Sequence, residues 1–371
     1  MGKQFECRRI AAILAEGMAT VRLGGANGTS SVTSGCSARA SEVTCNVSKA
    51  MTMCDPALLC AACGETLALA LSRLQRLPHF ICREAAQRCN NGGRCEADGA
   101  CTCALDAQLG RSWGGPSCAH ANHAIGSDCS DPGYSEGVYG QYYRGGRRRN
   151  TTLTQRLRGG TRTSLSGPGS TLRGTEGVRT VLPYLIRLLG IKTMVDVPCG
   201  DLFYMRHILK EPVFREQRVH YVGADLVRSL VASLQDIYSS QGADGGPVID
   251  FLQFDLATQM LWPADLVVVR DVLFHFDARR GAAVLRRISD SGAKWLLTTT
   301  YPTTNNRLSK QRRRFSAGKG FGSFWPANLQ GPPFNLPPPL LAIGRDGFAG
   351  DAGRVVALWR LPLYPQAVSS L

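Results

Sequence analysis

From residue 176 onward, apolar strands alternate with amphipathic helices, and three strands in succession end at or near an aspartate. In EGVRTVLPYLIRLLG (176–190), Val178, Val181, Leu182, Leu185, Ile186 and Leu189 share one helical face, and Gly190 closes the helix. Strand IKTMVDV (191–197) follows, then a helix over DLFYMRHILK (201–210), strand YVGADL (221–226) and helix VRSLVASLQDIYSS (227–240). FLQFDL (251–256) and ADLVVVRDVLF (264–274) are the third and fourth strands. Asp277 caps the helix DARRGAAVLRRIS (277–289), and KWLLTTT (294–300) is the fifth strand. PLLAIGRD (339–346) and RVVALWRLPL (354–363) read as a closing antiparallel pair. This order predicts an α/β domain over residues 176–363, with a mostly parallel, Rossmann-like sheet covered on both faces.

The first half is built differently. Thirteen of the fourteen cysteines lie at or before Cys129, and only Cys199 lies beyond. That split marks a domain boundary and points to an oxidising compartment, in which bridges replace a large core. Residues 1–80 form a poorly defined, cysteine-containing region. Cys60-x-x-Cys63 reads as a structural disulfide or a packed pair rather than a redox or zinc pair, since no second CxxC follows. In residues 82–118 the C-x-C at Cys101 and Cys103 puts adjacent thiols on opposite faces of a strand, and Gly92-Gly93 and Gly114-Gly115 supply tight turns. Six cysteines allow fifteen pairings. With its NGG-x-C and WGGPSC strings the segment resembles an EGF-like module. The resemblance implies bridges Cys82–Cys95, Cys89–Cys101 and Cys103–Cys118, and the acidic motif of calcium-binding members is absent. Residues 130–175 form a Gly-, Arg-, Ser- and Thr-rich connector, whose SGPGST (166–171) has turn chemistry or lies as a binding loop over the sheet's carboxyl edge.

At 371 residues with 44% hydrophobic and 19% charged, two domains are expected. No apolar run is long enough to span a membrane. The opening MGKQFECRRIAAILAEGMATV has a basic start and a short apolar core broken by Glu16, so it is not expected to act as a signal peptide. Asn27, Asn46 and Asn150 head glycosylation sequons, which with the cysteines fit a secretory or extracellular location. The net charge of +15, with runs at 144–150 and 310–315, reads as solvated loops or as attraction to an acidic polymer such as a glycan. No nucleic-acid reading module is present.

In open α/β sheets ligands sit outside the carboxyl ends of the strands. Asp196, in the turn VDVPCGD with Pro198, Cys199 and Gly200, suits a cationic ligand end, and Gly200 lets a backbone come close. Asp225 is placed to hold a ribose diol, and Asp255 to accept from an adenine amine. A dinucleotide needs a glycine-rich turn for its pyrophosphate, whereas this turn has one glycine and Asp201 would repel the phosphates. The expected cofactor is therefore S-adenosyl-L-methionine (SAM), with the three carboxylates converging on one hollow. No metal site is expected.

The ordered strings VDVPCGDLFYM, YVGADLV, FDL, ADLVVVRDVLFHF, LLTTTYP and NLQGPPFNLPPPL, with SGPGST upstream, resemble a class I SAM-dependent methyltransferase. They are close to a poorly characterised family with PCGD-x-x-x-M, RDVL-x-H and NL-x-x-PF-x-x-P-x-P motifs. The resemblance spans roughly residues 164–362. It implies a seven-stranded sheet with a reversed final strand, and Asp196, Gly200, Asp225 and Asp255 around the cofactor. Pro198 in place of the usual first glycine is shared with the close family.

Methyl transfer to a hydroxyl needs alignment, a dry site and a base. Asp271 or His275, spaced i, i+4 past strand four, is the expected base, with Arg270 ordering the carboxylate or the acceptor. Asn328, Phe334 and Asn335 are placed to cover the acceptor. The acceptor expected is a hydroxyl of a glycan or another secretory-pathway molecule, an acidic glycan or a protein. The alternative is an extracellular interaction protein with a catalytically silent α/β domain. A sugar-nucleotide transferase would want a D-x-D motif near a strand end, and none is so placed.

Overall fold

A computed structural model of the chain describes residues 20–21, 36–39, 42–45, 89–91, 93–95, 101–106, 111–122, 143, 152–158, 163–238, 247–306, 324–344, 346–347 and 353–364. Most of the expected 1–80 region, Cys82, the sequons and both basic runs lie outside them.

Seven strands form one sheet: β1 (Thr193–Asp196), β2 (His220–Asp225), β3 (Val248–Gln253), β4 (Leu266–Val269), β5 (Trp295–Thr300), β6 (Leu341–Ile343) and β7 (Val355–Arg360). Their order is β3-β2-β1-β4-β5-β7-β6. The first five are mutually parallel, and β7 runs antiparallel to both β5 and β6. The expected reversed closing strand is thus present. The order turns back between β1 and β4, which opens a crevice at their carboxyl ends.

Alternation along the strands makes the two apolar layers. Met194, Leu266, Val268, Trp295 and Leu297 belong to the core cluster beneath helix α1 (Glu176–Leu189). Val195, Val267, Val269 and Leu296 belong to the opposite one, beneath α3 (Ala278–Ser289). Both faces are apolar because both are covered, as parallel sheets require. Helix α1 ends where Gly190 enters the left-handed region at φ 63° and its N–H reaches the carbonyls of Arg187 and Ile186. The Asp277 side chain accepts from the Arg280 N–H at 2.9 Å, the expected cap of α3. Helix α2 (Arg228–Tyr238) covers β2 and β3. Between β1 and β2 the expected ten-residue helix shrinks to Met205–Ile208, because Leu202 sits at φ 54° in the turn that leaves β1. Among the described residues no helix is long and apolar enough to cross a membrane.

The cysteine-rich segment is not a separate bead on this domain. Cys89–Cys101 and Cys103–Cys118 are bridged, as the resemblance implied; Cys95 is also disulfide-bonded, and its expected partner Cys82 lies outside the described residues. Cys101, Cys103 and Cys118 are buried in the same cluster as Leu256, Leu261 and Trp262 of the α/β domain. The hairpin of Arg111–Gly114 and His120–Asn122 is bonded to the segment after β3: Gly115 N–H donates to the Leu261 carbonyl at 2.8 Å. On the far side, a Cβ on Gly292 would stand 2.8 Å from the Pro116 Cα.

The connector is likewise part of the body. Leu153 and Leu157 of the short helix Leu153–Arg158 pack on the core, Arg158 pairs with Asp236 of α2 at 3.1 Å, and Tyr143 is buried. Three apolar side chains, Leu153, Leu157 and Leu165, tie down a stretch whose composition reads as spacer.

The interlock has a sharp consequence at Gly114, where an added Cβ would fall 2.1 Å from the Met260 carbonyl oxygen. Gly114→Ala therefore forces the hairpin off the domain and costs about 1–3 kcal/mol. Urea unfolding followed through the domain's tryptophans should show that loss; an unchanged midpoint would mean that the two parts are not packed.

Candidate functional site

At the crevice between β1 and β4 lies a cavity of about 280 Å³, near the small end of the ~300–1,000 Å³ range of ligand pockets. Every sheet strand beside the crevice contributes its following turn. Val197, Pro198, Cys199, Gly200, Asp201, Phe203 and Tyr204 follow β1, and Asp225 and Leu226 end β2. Phe254 and Leu256 follow β3, and Arg270, Asp271, Val272 and His275 follow β4. Tyr143, Ser166, Gly167, Pro168 and Ser170 close it from the connector side, so SGPGST is the loop over the sheet edge rather than a plain turn.

Asp201 holds that loop. Its carboxylate accepts from the Ser164 hydroxyl at 2.9 Å, the Leu165 N–H and the Ser166 hydroxyl at 3.2 Å, while its own N–H donates to Ser166 Oγ at 3.0 Å. Ser166 shares a further 3.1 Å bond with the Tyr143 hydroxyl. Gly200, at φ 58°, leaves the necessary room, since a Cβ there would lie 2.5 Å from Ser166 Oγ.

The three strand-end carboxylates have different fates. Asp225 lines the cavity; one oxygen accepts from Val227 N–H at 3.0 Å and the other from Gly200 N–H at 3.1 Å. Burial pushes its carboxyl up to about 6, against the hydrogen bonds from the Val227, Gly200 and Leu226 backbone. Asp196 and Asp255 do not line the cavity, which corrects the expectation of convergence. Asp196 turns under the sheet rim, where Tyr221 donates its phenolic hydrogen at 2.8 Å. Burial raises it to about 7, although the Tyr221 bond and the charge of Arg270 pull the other way. Asp255 stands two residues past the end of β3 and folds back on its own turn, accepting from Ala257 N–H at 2.8 Å and the Thr258 hydroxyl at 2.6 Å.

Beyond β4 there is no α-helical turn to align Asp271 with His275. Asp271 takes φ 60° and a 3-10 turn covers Leu273–His275, yet both residues face the same cavity. Asp271 is not poised as a base. Arg270 approaches it at 3.0 Å, Arg354 at 2.5 Å and the Thr299 hydroxyl at 3.0 Å. Burial alone would raise its carboxyl, but the two guanidinium groups and these hydrogen bonds outweigh it and hold the group below its ordinary value. Asp346 completes the cluster, 2.9 Å from Arg270 and 3.1 Å from Arg354. Arg270 also donates to the Gly169 and Gly174 carbonyls at 2.8 and 3.0 Å and lies over the Tyr204 ring. His275 packs edge-on against Phe274, with ring centroids 4.7 Å apart.

None of Asn328, Phe334 and Asn335 lines the cavity. Phe334 is core, stacked on Trp325 at 5.9 Å. Asn328 sits in a second, shallower groove with residues 302–306, and its side chain donates to the Pro302 carbonyl at 2.9 Å. Cys199 is buried in the cavity wall, and burial pushes its thiol well up, away from nucleophilic character. Among the described residues no group of three His, Cys, Asp or Glu is arranged to hold a metal ion.

Tyr143, Asp346 and Arg354 carry no local sequence signal of a site, whereas Ser166 belongs to the SGPGST string. Asp346 and Arg354 lie far from Asp271 in the chain, and only the β6–β7 hairpin brings them to it.

No family model and no curated protein matches the chain. Solved structures similar to part of it include the magnesium protoporphyrin IX methyltransferase of Synechocystis PCC 6803 with bound SAH, at 12% identity and TM-score 0.35, over 51% of this chain and 84% of that one. Human N-acetylserotonin methyltransferase in complex with SAM aligns at 14% identity and TM-score 0.35, over 50% of this chain and 51% of that one. The mitomycin 7-O-methyltransferase MmcR aligns at 16% identity and TM-score 0.35, over 51% of this chain and 54% of that one.

Two outcomes follow from the buried charges. Asp271→Asn leaves two buried arginines facing one carboxylate and should cost about 3–5 kcal/mol in urea unfolding; a loss under about 1 kcal/mol would show the cluster to be dispensable. Asp196, raised to about 7 when folded, binds a proton in the folded state that the unfolded chain releases above its ordinary value of about 3.9. Its contribution to stability is therefore greatest at acid pH and is lost as pH rises toward about 7. Melting curves of Asp196→Asn should lack that decline; a decline identical to the wild type's would assign it to other groups.

Proposed function

We propose that the chain is a SAM-dependent methyltransferase whose cofactor binds in the cavity between β1 and β4. The observation that carries this reading is Asp225: a buried carboxylate at the end of β2, facing the cavity, in the position where an acidic residue holds a ribose diol. Its lone pairs outnumber the three backbone donors it serves, so it has capacity for a ligand hydroxyl. Leu226, Phe254 and Leu256 supply an apolar wall suited to adenine. The turn at Pro198, Cys199 and Gly200 and the Ser166–Ser170 loop enclose the region between the ribose and the reacting end. The donor set fits: acidic and hydroxyl groups for a ribose and an ammonium, and apolar surface for a base. Bound there, SAM would supply an activated methyl group.

His275 is the residue we assign as base, because it faces the cavity while Asp271 is committed to Arg270 and Arg354. Arg270 fixes the loop over the cavity through Gly169 and Gly174 and does not meet the acceptor as a free cation. The proposed acceptor is a hydroxyl, on an acidic glycan or a protein of the secretory pathway. Support for that choice is the +15 net charge and the disulfide-bonded amino-terminal part, read as an EGF-like module over 82–118 ahead of a methyltransferase domain over 176–363.

Calorimetry with SAM tests the cofactor. Wild type should bind, and Asp225→Asn should weaken binding roughly 10- to 100-fold, about 1.4–2.7 kcal/mol. A ribose diol donates best to the ionised carboxylate, so wild-type affinity should rise with pH through about 6 and level off above it. No binding by the folded protein would favour the interaction-protein reading instead. His275→Ala should leave SAM affinity in place and lower turnover of a glycan or protein acceptor by about 10²–10⁴; full turnover would remove His275 from the chemistry.

A further inference from the structure

The segment after β3 carries Phe254 and Leu256 into the cavity, and it is gripped from two sides. From within, Asp255 ties Ala257 and Thr258, and Gln259 Oε1 accepts the Asp255 N–H at 2.7 Å. From outside, the disulfide-bonded hairpin grips Met260 as a neighbouring strand would. The Asn122 side-chain amide donates to the Met260 carbonyl at 2.7 Å, and the Met260 N–H donates back to Asn122 Oδ1 at 2.9 Å. Ser112 Oγ, at 2.9 Å, accepts from the same amide nitrogen and orients it. Gly115 holds Leu261 one residue on, and Cys118, bridged to Cys103, closes the Gly115 turn by donating its N–H to the Gly115 carbonyl at 3.1 Å. The next residue, Trp262, stands perpendicular to Phe254 at 5.4 Å. An unbroken line of contacts thus runs from the Cys103–Cys118 bridge to the cavity wall.

We infer that Asn122 is a positioning residue for the adenine wall, and that the disulfide-bonded hairpin is a working part of the cofactor site. This rests on the reading of the cavity as a SAM site. Asn122 is buried and its side-chain oxygen and nitrogen are both engaged by Met260, so its removal frees the segment without touching the cavity. The bridges then matter for binding as well as for stability, because the hairpin grips only while its turn is closed.

The test is calorimetry on the full chain with its disulfides intact, using SAM, adenosine and S-ribosylhomocysteine, which lacks the base. In Asn122→Ala, SAM and adenosine should each weaken by roughly tenfold, the equivalent of about 1.4 kcal/mol, while S-ribosylhomocysteine keeps its affinity. Equal weakening of all three ligands, or of none, would overturn the inference. Should Asn122→Ala fail to fold, Ser112→Ala, which removes only the oxygen that orients the amide, should shift the same two ligands in the same direction. Failure of the wild type to bind SAM would instead strike the cofactor reading itself, so the two failures are distinct.

Discussion

Four charged side chains at the end of β4, three of them buried and Asp271 partly exposed, hold the rim of the sheet together. Arg270 and Asp271 leave the strand; Asp346 and Arg354 come from the β6–β7 hairpin. Two positive and two negative groups make the set neutral, which is the condition for burying any of them. Arg270 also binds the chain itself, donating to the Gly169 and Gly174 carbonyls. Gly169 has to be glycine in that position, because a Cβ would stand 2.6 Å from Asp271 Oδ2. The loop over the cavity is therefore fastened at both ends, by Asp201 at its start and by Arg270 at its finish. Remove the ion cluster and β4, the closing hairpin and the loop lose their common anchor together.

That arrangement explains which parts were legible in the sequence. Strand periodicity, the α1 stop at Gly190 and the Asp277 cap are local, so the seven strands and the α3 boundary follow from residue pattern alone. The lining of the cavity is legible where one residue does one local thing: Asp225 at the end of β2, Gly200 in its turn, and the SGPGST loop. It was not legible where the partner is remote. Asp271 looks like a free carboxylate until Arg354 arrives from the hairpin. Asp255 looks like an adenine acceptor until its side chain is seen to serve its own turn, a competition open to any Asp that follows a strand. Phe334 sits in a Pro-rich string that reads as a loop over the rim, yet Trp325 and the small Gly281 of α3 draw it into the core.

Composition misled most in the amino-terminal half. A Gly- and Arg-rich connector reads as solvent-exposed, but a few leucines suffice to dock it, and Tyr143 then reaches the cavity. The cysteine-rich segment reads as self-contained, since its bridges replace a core. Its interior is in fact shared: Cys101, Cys103 and Cys118 pack with Leu256 and Trp262. A small disulfide-bonded unit has little apolar surface to spare, and this one buries its own surface against the domain that follows.

The acid groups at the rim lead one step further. Asp196, Asp201 and Asp225 stand near one another, and burial, with their mutual repulsion, pushes Asp196 and Asp225 toward neutral pH. A neutral Asn would be a poorer cap of the same turn, since Val227 and Gly200 donate to different oxygens of Asp225 and Asn would turn an N–H₂ donor toward one of them. Burial of that carboxylate is costly, and the backbone N–H groups of Val227, Gly200 and Leu226 offset part of the cost. A ligand presenting hydroxyl or ammonium hydrogens would offset more of it, and an apolar or anionic one would not. The acidic side chains of the cavity wall thus suit hydroxyl- or ammonium-bearing groups better than anionic ones.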